Sequence, residues 1–476
     1  MNKRNYTDTL IFTFLLLGSA LVFSQETEIT AFDAEFADLF GYSVAIDGDY
    51  AIVGAPLHGG FGTLNAGAAY IFQLSGGSWV FMAKLTPPWG GDFGDQYGYS
   101  VDIAGNYAVV GAIRTDVYGK SDAGAAYVYV TNGTNWYELG TLMASDAGID
   151  DNFGNSVGIN DQGVVVVGAA ANDDFGTSTG SAYVFEYHYG NWIQVEKLLA
   201  SDAADGDAFG TDVAIDGNRI VVGAPANIGV PDLRSGAIYV FEPHYGHWAQ
   251  TARLTHTVAE VFDHLGQSVD IEGDYVIAGA PFANDKTGDA YIFYHNGVQW
   301  SQQAKISPSD GSPHDKFGWS VGITGGYAVV GAHLDDDLGS ESGSLYIYEQ
   351  SGTSWNELVK HTASDGMAGD RMGNQVDIDV SYAIGGAPYH DEGAPESGAA
   401  YIYGPSLSAI LPCPENMVLD GTIDPGVYHA ADYIQAEGLI MPSTAVTLSG
   451  TNYVILMPQL EVMQGGTLEI DLTGCP

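Results

Sequence analysis

Three histidines occupy related positions in the chain and are the first residues whose type suggests chemistry. His58 and His390 each lie four residues after the glycine of a Gly-Ala-Pro sequence, and His333 lies in the corresponding segment of another repeat. Imidazole nitrogens that converge with carboxylates such as Asp391 and Glu392 can hold a metal ion or transfer protons. These histidines are therefore candidates for a metal or acid–base cluster, and solvated loop histidines are the alternative.

Aspartates also recur at fixed places. One stands two residues before each of seven pairs of an aromatic or apolar residue with glycine, and in five of these segments another stands five residues earlier. Carboxylate pairs in loops can bind Ca²⁺, so the weak candidates for a metal site are Asp146, Asp151, Asp202 and Asp207. Recurrence in every repeat favours a second interpretation, in which the carboxylate accepts backbone N–H groups within a turn.

The seven pairs mark an internal repeat. They are spaced 52 to 57 residues apart, which predicts a repeat architecture. After each pair comes a short alternating run, a tight turn, an apolar run, a tyrosine-containing run and, in six repeats, a run that begins near a tryptophan. This pattern predicts four β-strands per repeat. The pairs are Phe40-Gly41, Tyr97-Gly98, Phe153-Gly154, Phe209-Gly210, Leu265-Gly266, Phe317-Gly318 and Met372-Gly373.

The two ends of the repeat region complement each other. The seventh repeat stops at Gly404-Pro405 without its fourth strand, and a spare strand around Glu28 precedes the first repeat. A ring closed by that N-terminal strand accounts for both features. We therefore predict an all-β fold, a seven-bladed β-propeller over residues 26–405 made of four-stranded antiparallel blades. An open solenoid of the same hairpins is the alternative.

Loop length predicts which face of this propeller binds a ligand. In an antiparallel meander, the short glycine-containing turns lie at one end of the blades, and the long acidic loops lie at the other. Long polar loops on a rigid scaffold commonly carry binding residues. The ligand-binding candidates on the long-loop face are His58, Asp173, Asp174, Asp335, Asp336, His333 and His390.

Composition limits the partners. The chain has 476 residues, with 14 Lys and Arg against 59 Asp and Glu, for a formal charge of −45. Such a surface repels phosphate backbones, so we expect no nucleic-acid binding, whereas cations and basic surfaces are attracted. High acidity also keeps a protein in solution. No zinc-binding signature and no phosphate-binding loop occurs in the sequence.

The N-terminus resembles a secretory signal peptide, residues 1–24. Lys3 and Arg4 precede a short apolar run over residues 10–23. The run is shorter than the roughly 20 residues that a membrane span needs, although an uncleaved anchor is the alternative. We therefore expect a secreted or outer cell-surface protein with no transmembrane segment after signal cleavage.

Residues 406–476 lack the repeat and predict a small second all-β module. Gly450 and Gly465-Gly466 punctuate alternating apolar runs there. The two cysteines of the chain, Cys413 and Cys475, would form one disulfide in an oxidising compartment or remain free thiols. The module weakly resembles stalk or anchoring modules of secreted proteins, and a plain capping domain is equally compatible.

The repeat resembles the FG-GAP repeat of integrin α-subunit propellers and of bacterial secreted proteins. The resemblance rests on the pairs above and on Gly54-Ala55-Pro56, Gly223-Ala224-Pro225, Gly279-Ala280-Pro281 and Gly386-Ala387-Pro388. It implies a seven-bladed propeller, extracellular placement, and adhesion or ligand binding. Family calcium loops are not carried over, because turns such as Asp47-Gly48-Asp49 offer too few oxygens for the usual ligand number. No cofactor is expected, although Ca²⁺ remains an open alternative.

These observations lead to three functional hypotheses. The first is a noncatalytic cell-surface protein that binds a glycan or a protein through the long-loop face. The second is a propeller hydrolase or lyase with a cluster of His58, His333 and His390 on that face. The third is a structural surface component without a small ligand.

Overall fold

The computed structural model describes residues 25–59, 66–88, 91–227, 235–257, 262–391 and 393–404, and the backbone of eight strands between residues 416 and 471. The chain divides into two compact units, one formed by Glu26–Gly404 and the other by Met1–Gln25 together with Pro405–Pro476. The predicted signal peptide lies outside the described residues, as do the side chains of Cys413 and Cys475.

Seven four-stranded antiparallel sheets form the first unit, which confirms the predicted propeller. In blades 1 to 6 the four strands are consecutive in the chain. Their bounds are Ser43–Asp47, Tyr50–Ala55, Ala68–Ser75 and Ser78–Leu85; Tyr97–Ala104, Tyr107–Ala112, Ala125–Thr131 and Trp136–Leu142; Val157–Ile159, Val164–Ala169, Ser181–His188 and Asn191–Leu198; Val213–Asp216, Arg219–Ala224, Ala237–His244 and His247–Leu254; Val269–Glu272, Tyr275–Ala280, Asp289–His295 and Trp300–Ile306; and Ser320–Thr324, Tyr327–Ala332, Ser344–Ser351 and Ser354–His361.

Blade 7 is completed by the N-terminus. Its first three strands are Val376–Ile378, Ala383–Ala387 and Ala399–Gly404, and its fourth is Gln25–Ile29. The first strands of neighbouring blades contact one another all the way round, including those of blades 7 and 1. The leader strand therefore closes a ring, as its position predicts, and the open solenoid is excluded.

The aromatic-Gly pairs hold each blade to the next. The ring of Phe40 is fully buried and packs against Tyr70 of the third strand at a centroid distance of 5.4 Å. Gly41 has a φ of +90°, and a Cβ there would lie 2.1 Å from the carbonyl oxygen of Ala399 in blade 7. The aromatic residue thus fills the blade core, and the glycine allows two backbones to approach closely.

Hairpin chemistry explains the inner half of each blade. Strands one and two of blade 1 pair from Ser43 with Gly54 to Asp47 with Tyr50, which leaves a two-residue turn at Gly48 and Asp49. Gly48 has a φ of +55°, as such turns require. The second strand is buried on both faces after its first residue, because neighbouring blades cover it.

The described residues contain one helical segment, Ala283–Lys286, a single turn between the second and third strands of blade 5. Among the described helices, none has the length and apolar character that a membrane crossing requires.

The C-terminal residues form strands that pair in parallel. Asn416–Leu419, Tyr433–Ala436 and Tyr453–Leu456 make one stack, and Gly426–Ala430, Ala445–Gly450 and Thr467–Asp471 make another. Leu439–Ile440 pairs with Glu461–Val462. The described strands between residues 416 and 471 are all-β, as predicted for this module, and they follow the pairing order of a β-solenoid.

Candidate functional site

Two sets of loops share one face of the ring. The loops between second and third strands meet the loops that enter the following blade, and parallel bridges join them at Gly67 and Tyr97 and at Gly343 and Met372. We call this the loop face, and we call the opposite side, with the tight turns, the turn face. The arrangement matches the sequence-based expectation.

Four blades hold a basic side chain against an aspartate of the loop that enters the same blade, on the loop face. In blade 1, Lys84 Nζ lies 2.6 Å from Asp33 Oδ2 and 2.6 Å from His58 Nε2. The hydroxyl of Tyr70 donates to the other oxygen of Asp33. We call this arrangement a cation cage. The equivalent cages of blades 3, 4 and 6 consist of Asp146, Tyr183 and Lys197; Asp202, Tyr239 and Arg253; and Asp310, Tyr346 and Lys360.

The four weak metal candidates fall into two structural roles. Asp146 and Asp202 belong to cages, where Lys197 Nζ and Arg253 Nε lie 2.7 and 2.9 Å from their carboxylates. Asp151 accepts the backbone N–H of Gly148, and Asp207 accepts that of Ala204. Buried amide side chains donate to the same two carboxylates at 3.1 and 2.9 Å. This arrangement supports the turn interpretation of the recurring aspartates.

The predicted acidic ligands differ in exposure. Asp173 and Asp174 are exposed, and the Asp174 carboxylate lies 2.5 Å from Lys197 Nζ. Asp335 is buried and accepts from Lys360 Nζ and the Tyr346 hydroxyl. Asp336 accepts the backbone N–H of Glu341 within its own loop. Only part of this set therefore faces solvent.

The three histidines have separate partners. His58 Nδ1 lies 2.8 Å from Asp38, and its Nε2 lies beside Lys84 in the cage of blade 1. His390 Nδ1 lies 2.9 Å from Asp370, and this hydrogen bond raises the pKa of His390.

His333 packs against Trp319, with ring centroids 4.4 Å apart. Burial, together with the nearby charges of Lys316 and Arg371, lowers the pKa of His333 to about 3. It is thus neutral at physiological pH. Across the described residues, no contact joins His58, His333 and His390 into one cluster.

Three Gly-x-Ser-x-Gly sequences, the pattern of hydrolase nucleophiles, occur in the propeller and have structural explanations. In the first, Ser156 donates to Asp212 at 2.7 Å and accepts the N–H of Val213 in the next blade. In another, Ser320 accepts the N–H of Val376 in the same way. The third is a loop segment around Ser178. None has the strand–turn–helix context of a nucleophile elbow.

A central channel of about 740 Å³ runs between the first strands of the blades. Asp102, Asp270 and Asp377 line it and accept backbone N–H groups of the adjacent blades at 2.7 to 2.8 Å. Burial is the main cause that raises the pKa of all three carboxyls. Sequence analysis did not select these three aspartates. A signal was present, because each one follows the first residue of its blade's aromatic-Gly or apolar-Gly pair by five residues.

The loop face also exposes large apolar side chains. Of 18 such exposed residues in the described part of the chain, nine belong to its loops: Phe32, Phe36, Phe93, Tyr118, Ile149, Phe175, Phe262, Leu338 and Met367. Phe93 and Tyr118 are 74% and 72% exposed. Aromatic and apolar side chains among carboxylates are typical of interaction surfaces.

Seven four-stranded blades around a channel, each entered through an aromatic-Gly or apolar-Gly pair, define a repeat β-propeller. The chain belongs to the FG-GAP repeat family, whose repeat matches residues 23–72, 79–129, 136–185, 192–241, 248–293, 300–348 and 355–403. Among solved structures it is similar to the crystal structure of Saccharomyces cerevisiae Sqt1, with 10% sequence identity and a TM-score of 0.45, over 80% of this chain and 99% of that chain. No curated protein matches the chain.

Proposed function

We propose that this protein is a noncatalytic extracellular binding protein that holds its ligand on the loop face. The observation that supports this proposal most is the set of nine exposed apolar side chains within the acidic loops of one face. FG-GAP repeats occur in extracellular proteins, and the basic and apolar N-terminal residues predict export.

Charge indicates the kind of ligand. A formal charge of −45 disfavours nucleic acid and other polyanions and speeds the approach of positively charged surfaces. Exposed aromatic rings provide large contact areas at a low cost in conformational entropy. A protein with a basic, partly apolar surface fits both properties best, and a neutral glycan is the second ligand class to test.

The hydrolase or lyase hypothesis has less support. His58 has both ring nitrogens engaged, and the lowered pKa of His333 follows from its burial beside cations. These histidines also lack a common centre in the described residues. A structural surface component remains the alternative if no ligand saturates the loop face.

Paired variants test the proposal. The loop-face variant carries Phe93→Ser, Tyr118→Ser and Phe175→Ser, and its matched control carries Tyr189→Ser and Tyr245→Ser on the turn face, where these residues are 103% and 93% exposed. Both are compared with the full chain on arrays of neutral glycans and of basic extracellular proteins.

We expect the loop-face variant to lose at least about 30-fold in affinity, since exposed aromatic anchors commonly contribute 2 kcal/mol or more. We expect the control to bind like wild type. Binding that survives in the loop-face variant, or that is lost only in the control, would contradict the proposal.

A further inference from the structure

Blade 7 departs from the cation cages at one position. The basic residue of the cage stands 12 residues before the next aromatic or apolar pair residue in blades 3, 4 and 6, as Lys197 does before Phe209, and 13 residues before it in blade 1. In blade 7, whose fourth strand comes from the N-terminus, the residue 12 positions before Phe40 is Glu28. A carboxylate therefore stands where the other cages have an ammonium or guanidinium group.

The other members of the cage are retained. Tyr401 donates its hydroxyl to Asp365 Oδ1 at 2.8 Å, as Tyr70 does to Asp33 and Tyr346 to Asp310. In those two blades the second oxygen, Oδ2, contacts a lysine Nζ. In blade 7 the Oδ2 atom of Asp365 instead faces His390 Nε2 at 3.8 Å.

His390 is 3% exposed and points one nitrogen into this group. Its Nδ1 lies 2.9 Å from Asp370, and its Nε2 lies 3.8 Å from Asp365 and 4.0 Å from Glu28. Those distances exceed a hydrogen bond, and Nε2 has no closer polar partner among the described residues. The donor atoms of Glu28, Asp365 and His390 all lie within 4.8 Å of one another.

We propose that Glu28, Asp365 and His390 bind a divalent transition-metal ion of the Zn²⁺ type. The Asp370 carboxylate would hold the Nδ1 proton and leave the Nε2 lone pair for the metal, the usual arrangement behind a metal-bound histidine. An imidazole nitrogen with two carboxylates suits Zn²⁺ and its neighbours, whereas Ca²⁺ takes oxygen ligands only.

The geometry requires a small contraction. Bonds of about 2.0–2.1 Å to a tetrahedral ion place the ligand atoms about 3.4 Å apart. The two distances to His390, 3.8 and 4.0 Å, have to shorten by roughly half an ångström. The oxygens of Glu28 and Asp365, which lie within 4.8 Å of each other, have to approach by up to about 1.4 Å.

Charge balance across the blades supports an ion. Blade 1 contains the same histidine–aspartate pair, His58 with Asp38, and there Lys84 supplies a positive charge. Blade 2 has Gly90 and Thr141 in place of the caged aspartate and the basic residue. Blade 7 keeps the aspartate and adds Glu28, so three carboxylates, including Asp370, surround one imidazole. A divalent cation compensates this excess in the way that lysine does elsewhere.

The test uses the full chain freed of metal by a chelator and titrated calorimetrically with Zn²⁺, with Mg²⁺ in excess to saturate weak acidic sites. We expect one equivalent of Zn²⁺ in wild type. Glu28→Lys, which copies the cage of blade 1, and His390→Gln should each abolish this binding. Asp370→Asn should weaken it about 10- to 100-fold, as loss of an outer-shell partner does.

A reciprocal variant provides a gain-of-function control. Lys84→Glu recreates the blade 7 set around His58 in blade 1, so we expect two equivalents of Zn²⁺ instead of one. Thermal unfolding of each variant verifies that the propeller is intact. The proposal is overturned if the wild-type chain binds no stoichiometric Zn²⁺. Binding that is unchanged in both Glu28→Lys and His390→Gln also overturns it. The inference does not rest on the proposed function.

Discussion

The carboxylate of Asp377 in blade 7 accepts the backbone N–H of Ile46 in blade 1 at 2.8 Å, across 331 residues of sequence. Asp102 and Asp270 make the same contact to Ile159 and Ile323 in their following blades. These hydrogen bonds lie around the channel and join first strands that share no sheet. Carboxylates thus connect consecutive blades where backbone pairing cannot.

The channel carboxylates predict a pH dependence of stability. Burial raises the pKa of Asp377 to about 7. Since this lies above the value in the unfolded chain, folding takes up a proton, and the stabilisation is lost as the pH rises from about 4 to about 7. We expect Asp377→Asn to have a higher melting temperature than wild type. The difference should be smallest at about pH 4 and largest at about pH 8. A difference that does not change with pH would contradict this assignment.

Ring closure can be tested at Ile29, which is 5% exposed in the N-terminal strand. If that strand is integral to blade 7, Ile29→Ala should lower the free energy of unfolding by about 2–4 kcal/mol, the range for truncating a buried aliphatic side chain. Leu198→Ala, at the equivalent position of blade 3, is the matched control with a similar expected loss. Denaturant titration measures both, and a negligible effect at Ile29 alone would argue against closure.

Close approach between blades makes particular glycines irreplaceable. Gly180 has a φ of +82°, and a Cβ there would lie 2.0 Å from the carbonyl oxygen of Phe209. Gly190, in the turn of the same blade, has a φ of +86° but nothing within 4 Å. We expect Gly190→Ala to cost about 1–2 kcal/mol for the left-handed backbone alone, and Gly180→Ala to cost clearly more. Equal losses in chemical denaturation would disprove the steric explanation.

The cage of blade 6 concentrates three carboxylates around one ammonium group. Lys360 Nζ lies 2.8 Å from Asp310, 2.8 Å from Asp335 and 2.7 Å from Asp337. Although burial alone would raise the pKa of Asp310, Lys360 and Tyr346 hold it below its ordinary value.

We therefore expect Lys360→Met to destabilise the protein by about 1–3 kcal/mol at neutral pH, because the buried Asp335 loses its counter-charge. The part of this loss that comes from Asp310 should disappear as the pH falls through the lowered pKa of that carboxyl group. Arg371→Met, which removes an ion pair to the partly exposed Glu341 and leaves no buried carboxylate, is the milder control. Thermal melts over a pH series measure both, and a Lys360→Met penalty that persists in acid would refute the ionic explanation.

Most of the fold follows from sequence because every blade repeats the same local rules. The aromatic or apolar residue before each pair glycine, such as Phe40, indicates a buried contact, and a glycine in a tight turn indicates a hairpin. Because the pattern occurs seven times, each repeat supports the strand assignment of the others. The leader strand could be assigned to blade 7 because its offset from Phe40 matched that of later strands.

The proposed metal site was harder to predict because it depends on the one position, Glu28, at which blade 7 differs from the cation cages of the other blades. Asp365 looked like one more recurring aspartate, and Glu28 looked like part of a leader strand. Only ring closure brings residues 28, 365 and 390 within reach of one another. The exposed side chains of the loop face were missed for a related reason: apolar loop residues carry no period, and their exposure depends on the packing of neighbouring loops.

The use of the N-terminal strand Gln25–Ile29 as the fourth strand of blade 7 has a consequence for folding during protein synthesis. The strand that is made first among the described elements finds its partner, Ala399–Gly404, only when the whole ring region has left the ribosome. Until then, both strands carry unpaired backbone groups along an open edge, which favours intermolecular pairing. We therefore expect the slowest folding phase to be the docking of this strand, and the incomplete ring to be the species that depends on chaperones.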